Sequence, residues 1–415
     1  MQMKFRQRIL VSFFLVSVGY LPAVHSVSLP EPVIPNGLGA EIWIYKPYNL
    51  DMIKEAGFSF IRVEMNWGSI EREKGVYDFT GSGFDELFEG CFKRNIRVLC
   101  CLAYSGRLYE SDNSVRTELG REKFADFAEA AAKRYAGNGI LWELWNEPNL
   151  FIFWSPQPSF EDYCKLVEVT APRIRKRDPS GIIVAGASSS IGNVWLEECF
   201  KRGMLNLIDA LSMHPYRLGT PPETVVSDYR AVRNTMKQYL PAGKTIPLIS
   251  SEWGYPLIDW DKTAQYSEME QARYLVRMFL ANLYDTIPVS IWFSWNNYME
   301  DQTEGDFTYG VVTIDQKPKP AFFAVKTMTQ TLKGYSITHR IDTGCDGDFI
   351  LHLRKDDHNA YAFWTMGNDH ETYLPVDAGE GALVDILGNG HAISWSDKGL
   401  QVALSPNPQY LIIKE

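Results

Sequence analysis

Apolar runs of strand length alternate with stretches of helical period along most of this chain. The runs cover residues 37–43, 58–67, 97–105, 140–146, 182–188, 210–216, 247–253 and 289–297. Helical patterning fills most of the intervals, from near Tyr48 and then at 84–94, 121–135, 160–177, 193–201, 222–239 and 267–283, with a further helix at 321–332. Strands this apolar on both faces belong in a parallel sheet covered by helices. Eight of them alternating with helices predict an α/β fold, a (β/α)8 TIM barrel over 27–334. The block 35–333 is slightly longer than the ~250 residues typical of that barrel. The competing arrangement is a doubly wound open sheet. Against it, no G-x-G-x-x-G follows the first run and no phosphate-binding Lys loop is present.

Past Gly334 the helical period disappears. Short segments at 349–353, 361–366, 372–376, 383–387, 392–395, 401–404 and 410–413, separated by Gly, Asn and Asp, predict a C-terminal β-sandwich domain over 335–415. The proline-containing segment 27–35 is placed to cross over and add a strand to it. At the other end, Lys4, Arg6 and Arg8 precede an apolar run at 9–19, and small residues lead to Ser26. That is the layout of a secretory signal peptide over 1–26, with a core shorter than the ~20 residues that span a bilayer. Its removal takes the formal charge from −10 to −13 and sends the mature chain to a secreted or periplasmic location. No later apolar stretch is long enough for a membrane span.

Composition and charge narrow the reading. Over 415 residues, 45% hydrophobic and 22% charged positions describe a packed globular protein, which removes disorder, collagen and coiled coil. The 51 acidic residues outnumber 41 basic ones with no basic block, so a nucleic-acid partner is not expected. Aromatic residues reach 13%, which is high; their flat faces suit sugars, although most belong to the core. Six cysteines at irregular spacing fit no zinc or redox motif, and Cys100 and Cys101 sit inside an apolar run. Neither a disulfide framework nor a metal or other cofactor is expected.

In a β/α barrel the reacting groups stand at the carboxyl ends of the strands. The fourth run ends Trp145-Asn146-Glu147-Pro148-Asn149, where the proline stops the strand and presents Glu147 at the rim beside an amide. The seventh ends Ser251-Glu252-Trp253-Gly254, which presents Glu252. Two carboxylates across one barrel mouth suit glycoside hydrolysis: one protonates the departing oxygen and the other attacks the anomeric carbon, at about 5–5.5 Å separation. Arg62, in the second run, supplies a guanidinium that would hold Glu252 ionised.

The W-N-E-P-N and S-E-W-G motifs, 105 residues apart between their glutamates, resemble those of the retaining glycoside hydrolases of clan A, nearest to family thirty-nine or to family five-like enzymes with a C-terminal β-sandwich. The resemblance spans nearly the whole mature chain. It implies that Glu147 is the acid/base, that Asn146 binds the sugar 2-hydroxyl and that Glu252 is the nucleophile. It also implies that Arg62, in a similar F-x-x-I-R context, supports the nucleophile, that His214 meets substrate and that the Tyr216 hydroxyl lies near Glu252. A tryptophan after strand eight, Trp295 by its nearness to the rim, would floor the subsite of the cleaved sugar. Tyr104 and Trp145 are further pocket candidates. The stretch from Trp67 to Asp78 (W-x-x-I-E-x-x-K-G-x-Y-D) organises the loop after strand two, and Trp67 is itself a substrate candidate. Two positions depart from the pattern. Ala103-Tyr104-Ser105 stands where family five cellulases often carry a histidine, and Asn296-Asn297 where some uronide-active relatives carry charge. The expected function is a secreted retaining β-glycosidase acting on an oligosaccharide, polysaccharide or glycoconjugate. A catalytically silent carbohydrate-binding protein would require loss of Glu147 or Glu252, and both are present. A metal-dependent barrel hydrolase would require a cluster such as H-x-H at strand one, which the seven histidines do not form.

Overall fold

Alternation within β2 (Phe60–Asn66) explains the barrel and its site together. Phe60 joins an inner apolar layer while Ile61, Val63 and Met65 belong to the cluster beneath the helices. Arg62 and Glu64 therefore share the inward face with Phe60, one and two steps nearer the carboxyl end. Together with β2, the strands β1 (Leu38–Glu41), β3 (Arg97–Ala103), β4 (Leu141–Leu144), β5 (Ile182–Ser189), β6 (Ala210–His214), β7 (Leu248–Trp253) and β8 (Ser290–Trp292) close into a parallel barrel in sequence order, with register shifts in β5 between Ala185 and Ser188 and in β7 between Ser250 and Trp253. β1 seals it by pairing with both β2 and β8. Gly39 is required at that seam, because a Cβ there would stand 2.6 Å from the Phe60 carbonyl oxygen. The floor is apolar, with Phe60, Leu99, Leu141, Ile249 and Ile291 in one buried cluster. The computed structural model describes residues 28–190, 193–258, 264–298 and 308–414; the expected signal peptide lies outside them.

The helices follow in order: α1 (Leu50–Glu55), α2 (Trp67–Ile70), α3 (Phe84–Lys93), α4 (Glu118–Arg134), α5 (Phe160–Arg177), α6 (Asn193–Lys201), α7 (Val225–Lys237), α8 (Glu268–Tyr284) and α9 (Pro320–Thr331). Their starts are encoded locally. Asn49, Thr117 and Ser159 accept first-turn backbone N–H groups, and Ser267 with Glu270 forms a reciprocal capping box. The expected eighth strand is shorter than read: regular strand ends at Trp292, and past it only the Phe293 and Trp295 N–H groups still reach the Trp253 and Glu41 carbonyls.

Beyond the barrel lie β9 (Ser336–Arg340), β10 (Asp348–Lys355), β11 (His358–Thr365), β12 (His370–Leu374), β13 (Gly379–Val384), β14 (Gly390–Trp395), β15 (Leu400–Leu404) and β16 (Gln409–Lys414). They form a six-stranded sheet, ordered β14-β13-β16-β11-β10-β9, and a two-stranded sheet of β12 and β15. β11 shows how the layers stack. Tyr361 and Phe363 pack toward β12 and β15, while Ala360, Ala362 and Trp364 join the core under the barrel helices. A buried ion pair fastens the contact: Arg277 of α8 donates twice to Glu223 (2.6 and 2.8 Å), which also accepts from the Trp364 indole (2.6 Å). The segment expected to cross over meets this sheet at a single antiparallel bridge, Val33 to Ser336. Before it, Leu29 packs under the barrel floor. All six cysteines are unpaired thiols, five of them buried.

Candidate active site

Arg62 is the hub. Its side chain is fully buried and every nitrogen of the fork is engaged: Nε donates to Glu143 Oε2 (2.9 Å), Nη1 to Glu41 Oε2 (2.6 Å) and to Glu252 Oε2 (2.7 Å), and Nη2 to Asn146 Oδ1 (2.7 Å). Strand register brings these groups together, since Glu41 lies opposite Arg62 across β1 and β2, and Glu143 is the inward residue two past Leu141. A planar five-donor group suits such a site, because each bond is directional and the charge does not titrate.

Glu252 sits in β7 and Glu147 just past β4. Trp145 and Glu147 both take positive φ (73° and 43°), which turns the chain off the strand and sets Asn146 and Glu147 toward the mouth before Pro148. Non-glycine residues rarely adopt that conformation, and where they do the site is commonly functional. His214, the last residue of β6, brings Nδ1 to 3.0 Å from Glu147 Oε1 and 3.7 Å from Glu252 Oε2. The Tyr216 hydroxyl donates to Glu252 Oε1 (2.7 Å). A carboxylate oxygen from each glutamate and a nitrogen of His214 all lie within 4.8 Å of one another. Both glutamates remain slightly open to solvent, whereas His214 has no exposure.

Burial alone would push the Glu252 carboxyl up. The charges of His214 and Arg62, with the Tyr216 hydrogen bond, outweigh it and hold the group below the ordinary carboxylate range. Burial likewise favours neutral His214, but the two glutamates prevail and raise its affinity for a proton. Glu41 goes the other way: burial pushes it well up, more than Arg62 draws it down, with Glu252 and Glu64 adding to the rise. The donors of Glu147, His214 and Glu252 are also of metal-ligating type. A divalent cation there would face the Arg62 guanidinium across Glu252, a repulsion that a dedicated metal site avoids.

The remaining sequence candidates divide sharply. The Tyr104 hydroxyl donates to Glu64 (2.7 Å) and accepts from Asn146 Nδ2 (3.1 Å), so it borders the site and fixes the Asn146 amide. Trp295 does not border it. Its ring is fully buried between Phe58 and Phe322 and donates to Gln316 (2.8 Å), so the expectation that it floors the sugar subsite is corrected. β8 ends at Trp292, and strand alternation no longer governs position 295. The aromatic that meets the site is Phe293, in edge contact with Trp43, Tyr216 and Tyr309. Trp145 and Trp67 are fully buried. Trp67 donates to Glu71, which also accepts from the Gly75 backbone and Tyr109, so this stretch organises its loop. Glu41, Glu143 and Glu64 were not singled out from sequence. The available signal was an acid at an inward position of an otherwise apolar run.

The family model described as Cellulase (glycosyl hydrolase family 5) matches residues 35–298, well over half of the chain. A β-xylosidase of Geobacillus stearothermophilus is 26% identical over 275 residues, 59% of this chain and 49% of that one, so the chain spans about half the length of this curated relative. A family 39 glycoside hydrolase from the gut symbiont Bacteroides cellulosilyticus WH2 superposes with a TM-score of 0.80 at 21% identity, covering 93% of this chain and 82% of the other. A monomeric β-xylosidase from Caulobacter crescentus CB15 gives 0.68 at 17% identity, over 92% and 97%. At these identities the two structures establish the shared barrel-and-sheet fold.

Proposed function

This chain belongs to the cellulase family, glycosyl hydrolase family 5, and we propose that it is a retaining β-glycosidase in which Glu147 is the acid/base and Glu252 the nucleophile. The observation that carries the reading is the gap between the two carboxylates. Oxygens of Glu147 and Glu252 fall within 4.8 Å of each other. Retaining enzymes hold the pair at about 5–5.5 Å, whereas inverting ones need ~6.5–9.5 Å to seat a water. Glu252, ionised and oriented by Arg62 and Tyr216, attacks the anomeric carbon and forms the glycosyl-enzyme. Glu147 gives its proton to the leaving oxygen, then takes one from the water that releases the sugar. His214 hydrogen-bonds Glu147 while lying near Glu252, and steadies the pair through both half-reactions. The second N–H of the Asn146 amide, whose oxygen is held by Arg62, serves a substrate hydroxyl.

The substrate is a carbohydrate, and the β-xylosidase relatives make aryl β-xylosides the first compounds to try beside other aryl β-glycosides and polysaccharides. Residues 1–26 act as a signal peptide and the mature enzyme works outside the cytoplasm; N-terminal sequencing of exported protein tests this. The mechanism is tested by proton NMR of the first product and by azide. Retention is expected. Glu147→Ala with added azide should yield the β-glycosyl azide and Glu252→Ala the α-azide. Exchanged configurations would reverse the two roles, and an inverted first product would refute the covalent route.

A further inference from the structure

Cys164 in α5 and Cys199 in α6 sit on neighbouring helices that pack against each other. Phe160, Tyr163 and Cys164 share one side of α5 by their spacing, and Trp195 and Cys199 share one side of α6. Ring contacts fix how the two sides meet. Phe160 touches Trp195 edge-on at 5.8 Å between centroids, and Tyr163 lies 6.3 Å from the same ring. The helices of a β/α barrel run in one direction, so a turn further along each brings residue 164 opposite residue 199. There the two thiols hydrogen-bond each other. Cysteines that point at one another from facing helices meet the first requirement of a disulfide. The others are placed differently. Cys100 and Cys101 are consecutive in β3 and so face opposite sides of the barrel wall, while Cys345 is exposed beyond the barrel.

The surroundings give an oxidant a way in. A cavity of about 680 Å³ opens between α5 and the turn after α6, with Cys164 and Arg202 in its wall. Cys164 keeps 8% exposure and Cys199 none, so Cys164 is the sulfur that an incoming group reaches. The Arg202 guanidinium lies over the Phe160 ring at 4.3 Å and interacts electrostatically with both sulfurs. A cation beside a thiol favours the thiolate, which is the reacting form. The Cys164 hydrogen bond and burial push the Cys199 thiol well above the ordinary thiol range, which makes Cys199 the second sulfur to react. The pair also stands where a cross-link has something to brace. Tyr163, next to Cys164, donates its hydroxyl to the Leu144 carbonyl and accepts from the Gly186 N–H, both at 2.9 Å, and so ties α5 to the ends of β4 and β5.

We propose that Cys164 and Cys199 are a disulfide-forming pair that clamps α5 to α6 when the protein meets an oxidising compartment, the oxidant being a small-molecule disulfide or the disulfide of a thiol oxidoreductase. The Cys164 thiolate attacks one sulfur of the oxidant, breaks its S–S bond and expels one thiolate. Cys199 then loses its proton to water and attacks the Cys164 sulfur of the mixed disulfide, which releases the second thiolate. Two protein thiols are oxidised, the oxidant disulfide is reduced to two thiols, and the two protons from the protein end on them. The bond closes a loop of 35 residues in the unfolded chain (199 − 164), which lowers the entropy of that state and favours the folded one.

The test uses the full native chain and oxidised glutathione as the probe. After incubation the folded protein is pulsed with N-ethylmaleimide and mapped by mass spectrometry without reduction. Wild type should give one peptide pair joined through Cys164 and Cys199, lighter than the two reduced peptides by two hydrogens. Its Tm should rise by about 2–5 °C over the reduced protein. Cys164→Ala and Cys199→Ala, each made separately, should lose both the linked pair and the oxidant-dependent rise. The mapping of wild type decides the chemistry even where a variant folds poorly. Native protein whose Cys164 and Cys199 stay open to alkylation, while exposed Cys345 takes up glutathione, would overturn the pairing. So would a linkage from either residue to a third cysteine. A linked protein with no gain in Tm would overturn the clamp. Neither readout depends on turnover, so failure of the glycosidase reading would leave both results standing.

Discussion

Glu41 tests the charge balance on which the site depends. One guanidinium faces three buried carboxyl groups, and its Nη1 is shared between Glu41 at 2.6 Å and Glu252 at 2.7 Å. With all three ionised, the cluster would hold two uncompensated charges away from water, at several kcal/mol each. Burial, opposed by Arg62 and reinforced by Glu252 and Glu64, pushes the Glu41 carboxyl well up and favours its neutral form. Glu41→Gln then replaces one neutral hydrogen-bonding group by another of nearly the same shape, and kcat/KM should stay within about threefold of wild type. Glu41→Ala removes a hydrogen bond to a charged group, about 1.5–3 kcal/mol, and frees Arg62 to shift from Glu252, so kcat/KM should fall roughly 10–100-fold. The pH dependence has a definite sign. A carboxyl with its folded pKa raised contributes stability that is full below the unfolded value of ~4.3 and is lost as pH rises through the folded value. Thermal scans across mildly acidic to mildly alkaline pH should therefore show the Tm of Glu41→Gln gaining on wild type as pH rises. A gap that narrows with pH, or a Gln variant as impaired as the Ala one, would refute a neutral Glu41.

Tyr216→Phe removes the 2.7 Å hydrogen bond to Glu252; kcat/KM should drop about 10–100-fold, and the acid limb of its pH profile should move to higher pH because one of the groups holding Glu252 ionised is gone. An unmoved limb would dissociate Tyr216 from the nucleophile. Glu223→Ala leaves Arg277 buried without its partner and the Trp364 indole N–H unsatisfied, so unfolding free energy should fall by roughly 3–5 kcal/mol in urea titration. Ending the chain at Gly334 uncovers apolar surface of α8 and α9 and should give insoluble protein; a soluble, fully active barrel would contradict the packing described. Activity should be indifferent to chelators, and loss on chelation with recovery on adding zinc would overturn the two-carboxylate chemistry.

Much of this was legible along the chain because strand and helix periods are local. α5 and α6 fall on the expected residues, and six of the eight C-terminal strands match expected segments in place if not at every end, while β13 begins four residues before the segment expected for it. β9 was missed because Ser336–Arg340 is short, polar and half exposed, leaving no apolar alternation to read. The bridge at Val33 likewise depends on where the barrel ends relative to the sheet, which no period encodes.

Which residue types stand at which strand ends can be read from the chain alone: Glu147 just before a strand-stopping proline, Glu252 before Trp253-Gly254, Arg62 two residues past Phe60 on the same face. Period two and the chemistry of proline act within a few residues, so they are readable without the fold. What those side chains meet depends on how the barrel closes. Arg62 bonding Glu41, Glu143 and Glu252 from three other strands, and Asn146 just past β4, follows from ladder register and barrel closure, which couple residues up to 190 positions apart. The reversal between Trp295 and Phe293 has the same origin: side-chain direction follows from alternation only while the strand persists, and β8 ends at Trp292. Beyond that point the packing of the helix layer buries Trp295 and leaves Phe293 against Tyr216.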